Sequence, residues 1–305
     1  MQKHPNLPNF IIIGAGRSGT TSLYYYLKQH PEITMSPIKE TNFFAYDPGI
    51  NDRLLNMDKA PFPVKRLKAY YKLFNNKNDR SLPGEASPMY LWHPSAPKNI
   101  YQSIPDVKLI VILRNPVDRI YSSFWLYVSL NMEKRTLVQA IAEEKELKIK
   151  RQWPSGHMVY ISEGFYYHHL CRFQDYFPRE QIKIYFYDDF KKMPLGTVKN
   201  IFDFLGVPGN FIPNTSLQHN SSGRPKNKVI QFLLRSRSLT KRIRRFLPGV
   251  IHDPIYNYLM RIKNQNLSRP PLDNDIRKQL IDIYHDDIIQ LGNFVNRDLS
   301  HWLRT

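Results

Sequence analysis

The stretch Phe10-Ile11-Ile12-Ile13-Gly14-Ala15-Gly16-Arg17-Ser18-Gly19-Thr20-Thr21-Ser22-Leu23 decides the fold. Its apolar opening reads as a strand buried on both faces, the pattern of a parallel sheet. The glycines let the backbone turn tightly and bring its N–H groups inward. Thr20 and Thr21 fall in the first turn of a following helix, which offers unpaired N–H donors and the positive end of its dipole. Strand, glycine loop and helix N-terminus in this order hold phosphate, so a nucleotide-type anion is the first ligand to expect. The spacing fits G-x-x-x-x-G, but Thr20 stands where a P-loop NTPase has lysine. The cation is Arg17, inside the loop, and its planar fork suits a tetrahedral oxyanion. A tight strand–helix turn without a ligand is the plain alternative for this motif taken alone.

Outward from that unit, strands and helices alternate. A helix runs from Thr20 to His30 and is ended by Pro31, a short strand covers Ile33 to Ser36, and Val64 to Phe74 is helical. Leu82 to Pro88 is turn-like, with a brief strand end at most. A short helix covers Ser95 to Ser103, and Lys108 to Leu113 is the second clear buried strand. Helices follow at Val117 to Leu130, Thr136 to Lys148 and Gly164 to Tyr176. Ile182 to Tyr187 is a third strand, and Pro194 to Leu205 is a helix stopped by Gly206. Asn214 to Lys228 is a polar loop, and Val229 to Lys263 is helical, basic and amphipathic. Asp273 to Leu291 carries an apolar stripe at helical spacing. The expected class is α/β: a P-loop-like single domain over 1–305, with a central parallel sheet flanked by helices. Residues 224–292 form a mostly helical, basic C-terminal extension.

In open α/β sheets ligands sit at the carboxyl ends of strands. The second strand ends in Arg114-Asn115-Pro116-Val117-Asp118-Arg119-Ile120-Tyr121-Ser122. A magnesium-dependent phosphoryl-transfer enzyme often has an aspartate there; an arginine instead binds an anion directly and repels a metal ion. Ser122 lies about two turns into the next helix, where its hydroxyl can join from the side. Arg119 faces solvent, or pairs with Asp118 or with another carboxylate. Arg114 capping a structural carboxylate is the plain reading for that residue alone. Anion sites on neighbouring strand ends suit a ligand with phosphate at two positions.

Composition bounds the rest. Formal charge is +18, from 44 Lys and Arg against 26 Asp and Glu, so the surface attracts polyanions. Nine of these cations lie between Arg224 and Arg245, with no Asp or Glu among them. One cysteine, Cys171, rules out an internal disulfide and fits a reducing compartment. No apolar run reaches the length of a membrane span, and no signal-peptide pattern opens the chain, so a cytoplasmic protein is expected. No metal-ligand spacing is present and no nucleic-acid motif is found.

These residues resemble the sulfotransferases that use 3′-phosphoadenosine 5′-phosphosulfate (PAPS), in the bacterial and carbohydrate-directed branch related to the heparan sulfate enzymes. The resemblance runs from Phe10 to Trp302. It implies that Arg17, Ser18, Gly19, Thr20, Thr21 and Ser22 hold the 5′-phosphosulfate, and that Arg114 and Ser122 hold the 3′-phosphate. Asn220-Ser221-Ser222-Gly223-Arg224-Pro225 resembles the loop that closes over the 3′-phosphate and adenine, which assigns Ser222, Gly223 and Arg224. Lys39-Glu40-Thr41-Asn42-Phe43-Phe44 resembles the segment with the catalytic glutamate, which falls on Glu40. Gly84-Glu85-Ala86-Ser87-Pro88 resembles a further family segment, with Glu85 read as structural. The chain has Arg17 where lysine is frequent, and Ala86 and Ala45 where heparan-type enzymes have lysine and aspartate.

The resemblance implies transfer of a sulfuryl group from PAPS to an acceptor hydroxyl, on a carbohydrate or glycolipid, with adenosine 3′,5′-bisphosphate (PAP) as product. Glu40 takes the acceptor proton, and Arg17 meets the charge that develops on the sulfuryl and bridging oxygens. No metal is needed. Taken without the resemblance, Glu40 reads as a surface glutamate paired with Lys39. The 224–245 segment is a solvated helix face, an attractor for the anionic substrates, or a peripheral anionic-membrane contact through 229–246. Two further functions stand as alternatives: a P-loop ATP-dependent kinase, and a non-catalytic polyanion-binding module.

Overall fold

The computed structural model describes residues 7–46, 62–75, 81–149, 159–215, 224–225 and 267–305. Its centre is a parallel five-stranded sheet in the order β2-β3-β1-β4-β5, formed by Phe10–Gly14, Ile33–Met35, Leu82–Ala86, Lys108–Leu113 and Ile182–Phe186 as β1 to β5. Burial on both faces explains the unbroken apolar runs. In β1, Ile11 and Ile13 point into one core and Phe10 and Ile12 into the other; in β4, Leu109, Val111 and Leu113 oppose Ile110 and Ile112 in the same way.

Each core is closed by helices. On one face pack α4 (Pro116–Ser129) through Val117 and Ile120, α6 (Tyr166–Gln174) through Leu170 and Phe173, and α9 (Asn274–Val295) through Tyr284 and Ile288. The other face is covered by α1 (Thr20–Leu27) through Leu23 and Leu27, and by α8 (Pro194–Leu205) through Val198, Ile201 and Phe202. Four further α-helices lie in the described chain: α2 (Leu67–Lys72), α3 (Ala96–Ser103), α5 (Leu137–Ile149) and α7 (Tyr187–Lys192). A small antiparallel pair, β6 (Arg224–Pro225) and β7 (Leu267–Ser268), links two segments that are distant in sequence.

The class expected from sequence stands, with one strand misread. Leu82 to Ala86 is a strand paired on both sides, next to the sheet centre, rather than a turn. Pro83 and Gly84 hide it, since both are unfavourable in strand interiors. Gly84 is needed because the Phe10 ring lies over it: an added Cβ would sit 2.1 Å from Cζ of Phe10.

Strand order reverses at β1, which has β3 on one side and β4 on the other. Loops leaving the carboxyl ends of β1 and β4 therefore part around a crevice, the place where open α/β sheets bind ligands. Among the described residues no helix is long and apolar enough to cross a membrane.

Candidate active site

The loop after β1 is shaped by two residues in left-handed conformation, Arg17 (φ 66°) and Gly19 (φ 92°). Gly19 takes the N-cap position of α1 and supplies no side-chain cap, so the first-turn amides face the cleft for a ligand to use. Asn115 caps α4 by accepting from the N–H groups of Val117 (2.9 Å) and Asp118 (3.4 Å), which sets Arg114 at the lip of the same crevice.

Both expected anion sites meet there. Arg17 Nε donates to Ser122 Oγ at 3.2 Å, and Arg114 Nη1 donates to the Arg17 carbonyl at 3.2 Å. The Arg114 guanidinium also stacks on the Tyr187 ring, 4.8 Å from its centre. Gly19, Thr20, Thr21 and Ser22 line the same cleft of about 910 Å³, and Glu40 stands on its wall. Ser18 is fully buried within the loop, with its hydroxyl unpaired.

Electrostatics mark the cleft as an anion site. Burial, then the charges of Arg269 and Arg114, push Arg17 down to about 10. Arg269 is likewise lowered by burial and by Arg114. Three like charges converging in one partly buried space are mutually unfavourable, and a multiply charged anion relieves them. With the amides of α1 and the orphaned Ser18 hydroxyl, these groups fit a ligand phosphorylated at two positions.

Glu40 sits on the segment between β2 and the 3₁₀ turn Phe43–Ala45, itself in left-handed conformation (φ 62°). Its N–H donates to Ala86 O at 2.8 Å, which ties it to the end of β3. Lys39 Nζ donates to Glu40 Oε1, and the Glu40 side chain is 52% exposed. The pairing foreseen for a surface glutamate is therefore present, and it lies on the cleft wall.

Several cleft residues carry no motif in the sequence. Arg269 follows β7 and precedes a proline pair; only the surplus of positive charge hints at it. Tyr187 is the first residue after β5, at a strand end, and the strand-end rule applied to β1 and β4 finds it too. Glu163 lines the cleft beside Gly16 and pairs with Arg119 at 2.6 Å. Arg119, one of the open assignments, is thus fully buried against another carboxylate, while Asp118 pairs with Arg277 at 2.9 Å. Burial lifts Glu163 to about 7 against the pull of Arg119, with the charges of Glu144 and Glu40 adding to the rise. The Tyr127 hydroxyl lies among Glu163, Arg119, Glu40 and Arg17, and is raised mainly by burial. His169 is buried and its Nε2 donates to Ser162 O at 2.8 Å, while His168 is exposed.

Ser222, Gly223 and the 229–246 segment lie outside the described residues. Arg224 is in β6, paired with Ser268 beside Arg269.

A family model for the sulfotransferase domain matches residues 7–258. The chain belongs to the sulfotransferase family. It is 26% identical to membrane-associated sulfotransferase kil1 of Dictyostelium discoideum, an alignment that takes in 75% of this chain and 62% of that protein. Carbohydrate sulfotransferase 15 of Rattus norvegicus is 26% identical over 66% of this chain and 44% of its own length. The crystal structure of a sulfotransferase from Alicyclobacillus acidocaldarius superposes with a TM-score of 0.73 at 28% identity, covering 98% of this chain and 99% of that one. This sulfotransferase thus spans less than two thirds of the curated relatives named. Family membership goes against the kinase and the polyanion-binding module.

Proposed function

We propose that this sulfotransferase moves the sulfuryl group of PAPS to a hydroxyl of a carbohydrate acceptor, with Glu40 as general base. The observation that carries the reading is the convergence of Arg17, Arg114 and Arg269 at the β1 and β4 strand ends, over the uncapped amides of α1. In this reading the loop amides with Thr20 and Thr21 hold the 5′-phosphate. Arg114 and Ser122 hold the 3′-phosphate, joined by Ser222, Gly223 and Arg224.

The acceptor oxygen forms a bond to sulfur as the bond from sulfur to the bridging oxygen breaks. Its proton passes to Glu40, and the leaving charge remains on the 5′-phosphate of PAP. Arg17 and the α1 N-terminus stabilise that charge without reorganising, which is where such sites gain most of their rate. Lys39 Nζ donates to the Glu40 carboxylate at the cleft wall.

A carbohydrate acceptor is supported by the name of the rat relative. Peripheral membrane contact through 229–246 is supported by the name of the Dictyostelium relative, and a cytoplasmic site by the single cysteine. The test is incubation with sulfur-labelled PAPS and a panel: a neutral oligosaccharide, a uronic-acid polysaccharide, a glycolipid and a tyrosine peptide. Label on a carbohydrate hydroxyl supports the reading. Label only on the peptide overturns the acceptor class, and ATP turnover without any PAPS turnover overturns the reaction.

A further inference from the structure

We propose that Glu85 is a positioning residue for the reaction: its buried carboxylate fixes the 40–44 segment and thereby aims Glu40 at the acceptor. The inference rests on Glu40 being the base. Glu85 lies in β3, in register with Ile11 of β1, and is 0% exposed.

Four hydroxyls, rather than a cation, meet this carboxylate. Oε1 accepts from Thr41 Oγ1, from Ser87 Oγ at 2.6 Å and from Tyr90 OH at 2.8 Å; Oε2 accepts from Tyr70 OH. Three of the four also receive a backbone N–H of the segment. Asn42 N–H donates to Ser87 Oγ at 3.1 Å, Phe43 N–H to Thr41 Oγ1 at 3.3 Å and Phe44 N–H to Tyr90 OH at 3.3 Å.

A hydroxyl has one proton, and an ionised carboxylate only accepts. Ser87 directs its proton at Glu85, and Thr41 and Tyr90, whose oxygens also lie 3.2 Å apart, are each within reach of the carboxylate, while all three offer lone pairs to the segment. One carboxylate thus anchors the hydroxyls that hold the segment, and bonds to an ionised acceptor are the strong ones.

What the network holds is an unfavourable turn. Glu40 (φ 62°) and Asn42 (φ 51°) are both left-handed, a conformation that asparagine tolerates but that glutamate keeps only where its surroundings over-determine it. Asn99 Nδ2 adds a bond to Phe44 O at 2.9 Å from α3. Glu85 itself does not line the cleft; it acts through Thr41 and Ser87 on the residues beside it. A role confined to fold stability would lower the melting temperature without separating turnover from nucleotide binding.

The test compares Thr41→Val, which keeps the shape and deletes one hydroxyl, with Thr41→Ser, which keeps the hydroxyl, and with Glu85→Gln, which cannot accept on its amide nitrogen. Turnover is measured on the acceptor of the panel above that takes the label, and nucleotide affinity with PAP. We expect kcat to fall about 10- to 100-fold in Thr41→Val and Glu85→Gln, the scale of a small misplacement, with PAP affinity unchanged. Thr41→Ser restores most of the rate. In a Glu40→Gln background, Thr41→Val has no further effect, because residues acting as one unit are not additive.

Wild-type kcat in folded Thr41→Val, alongside a slow Glu40→Gln, overturns the positioning role and leaves the base intact. A wild-type rate in Glu40→Gln instead overturns the base itself. Loss of PAP binding in Thr41→Val also counts against the proposal, since the effect would then be general. If Glu85→Gln does not fold, Thr41→Val decides alone.

Discussion

Arg17 Nε donates to Ser122 Oγ at 3.2 Å across a sequence separation of 105, and this bond joins the β1 loop to α4. It brings the two expected anion sites together. Ser122 fixes the plane of a guanidinium that lines the cleft. Ser122→Ala should weaken PAP binding about tenfold, the worth of a hydrogen bond to a charged group. Arg17→Ala should lower kcat about 10²- to 10³-fold, as the loss of an oxyanion donor does. Calorimetry and initial rates check both. Equal effects of the two substitutions on binding and rate would mean that Arg17 meets no developing charge.

Arg269 joins Arg17 and Arg114 in the cleft and lowers Arg17. Arg269→Ala should weaken PAP binding and flatten its dependence on salt, because exposed charge interactions are screened within about 10 Å at 0.1 M ionic strength. Binding isotherms at two salt concentrations measure the slope. An unchanged slope places Arg269 outside the nucleotide's field.

Glu40→Gln keeps the shape of the side chain and removes its proton acceptor. The expected loss in kcat is about 10²- to 10⁴-fold, the usual reach of a general base, with PAP affinity preserved. Unchanged turnover would leave Glu40 as the wall residue that its bond to Lys39 already allows.

Burial pushes the Glu163 carboxyl up to about 7, from about 4.5 in the unfolded chain, and its side chain is 16% exposed. A carboxyl raised on folding contributes stability that is complete below the unfolded value and lost as pH rises through the folded one. The wild type should therefore lose up to about 3 kcal/mol between pH 4.5 and 7.5 from this group. Glu163→Gln should remove that slope while leaving buried Arg119 short of its partner, so the variant is penalised more at pH 5 than at pH 8. Urea titrations at the two pH values test this; an equal penalty at both contradicts it.

Gly19→Ala tests the loop's backbone. The position has φ 92°, and an added Cβ would lie 3.0 Å from Cε1 of Phe190. The left-handed conformation and this contact together should destabilise the fold by about 1–3 kcal/mol, read as a lower melting temperature. A melting temperature equal to wild type would show that the loop tolerates a side chain there.

The sequence revealed most clearly what local chemistry determines. Phe10 to Ile13 and Lys108 to Leu113 are strands because burial on both faces demands apolar residues at each position, and Asn115-Pro116 starts a helix through its own cap. Arg17, Arg114 and Ser122 were legible because strand ends and glycine loops carry ligands by geometry. β3 was hidden because the demand for Gly84 comes from the Phe10 ring on another strand. Glu85 was read as structural, but its four hydroxyl partners come from residues 41, 70, 87 and 90, and no spacing rule collects them. Arg269 likewise reaches the cleft only through tertiary folding, whereas Tyr187 stands at a strand end, where the same rule finds it.

The central claim is that amides and guanidinium groups at the β1 and β4 strand ends grip a nucleotide phosphorylated at both ends of its ribose. Titration of PAP into the full chain by calorimetry tests it most directly. The account predicts saturable binding at about one site with a Kd in the micromolar range or tighter, the span from −8 kcal/mol upward in strength, and its loss in Arg17→Ala and Arg114→Ala. Absence of measurable heat or competition with the folded wild-type chain would contradict it.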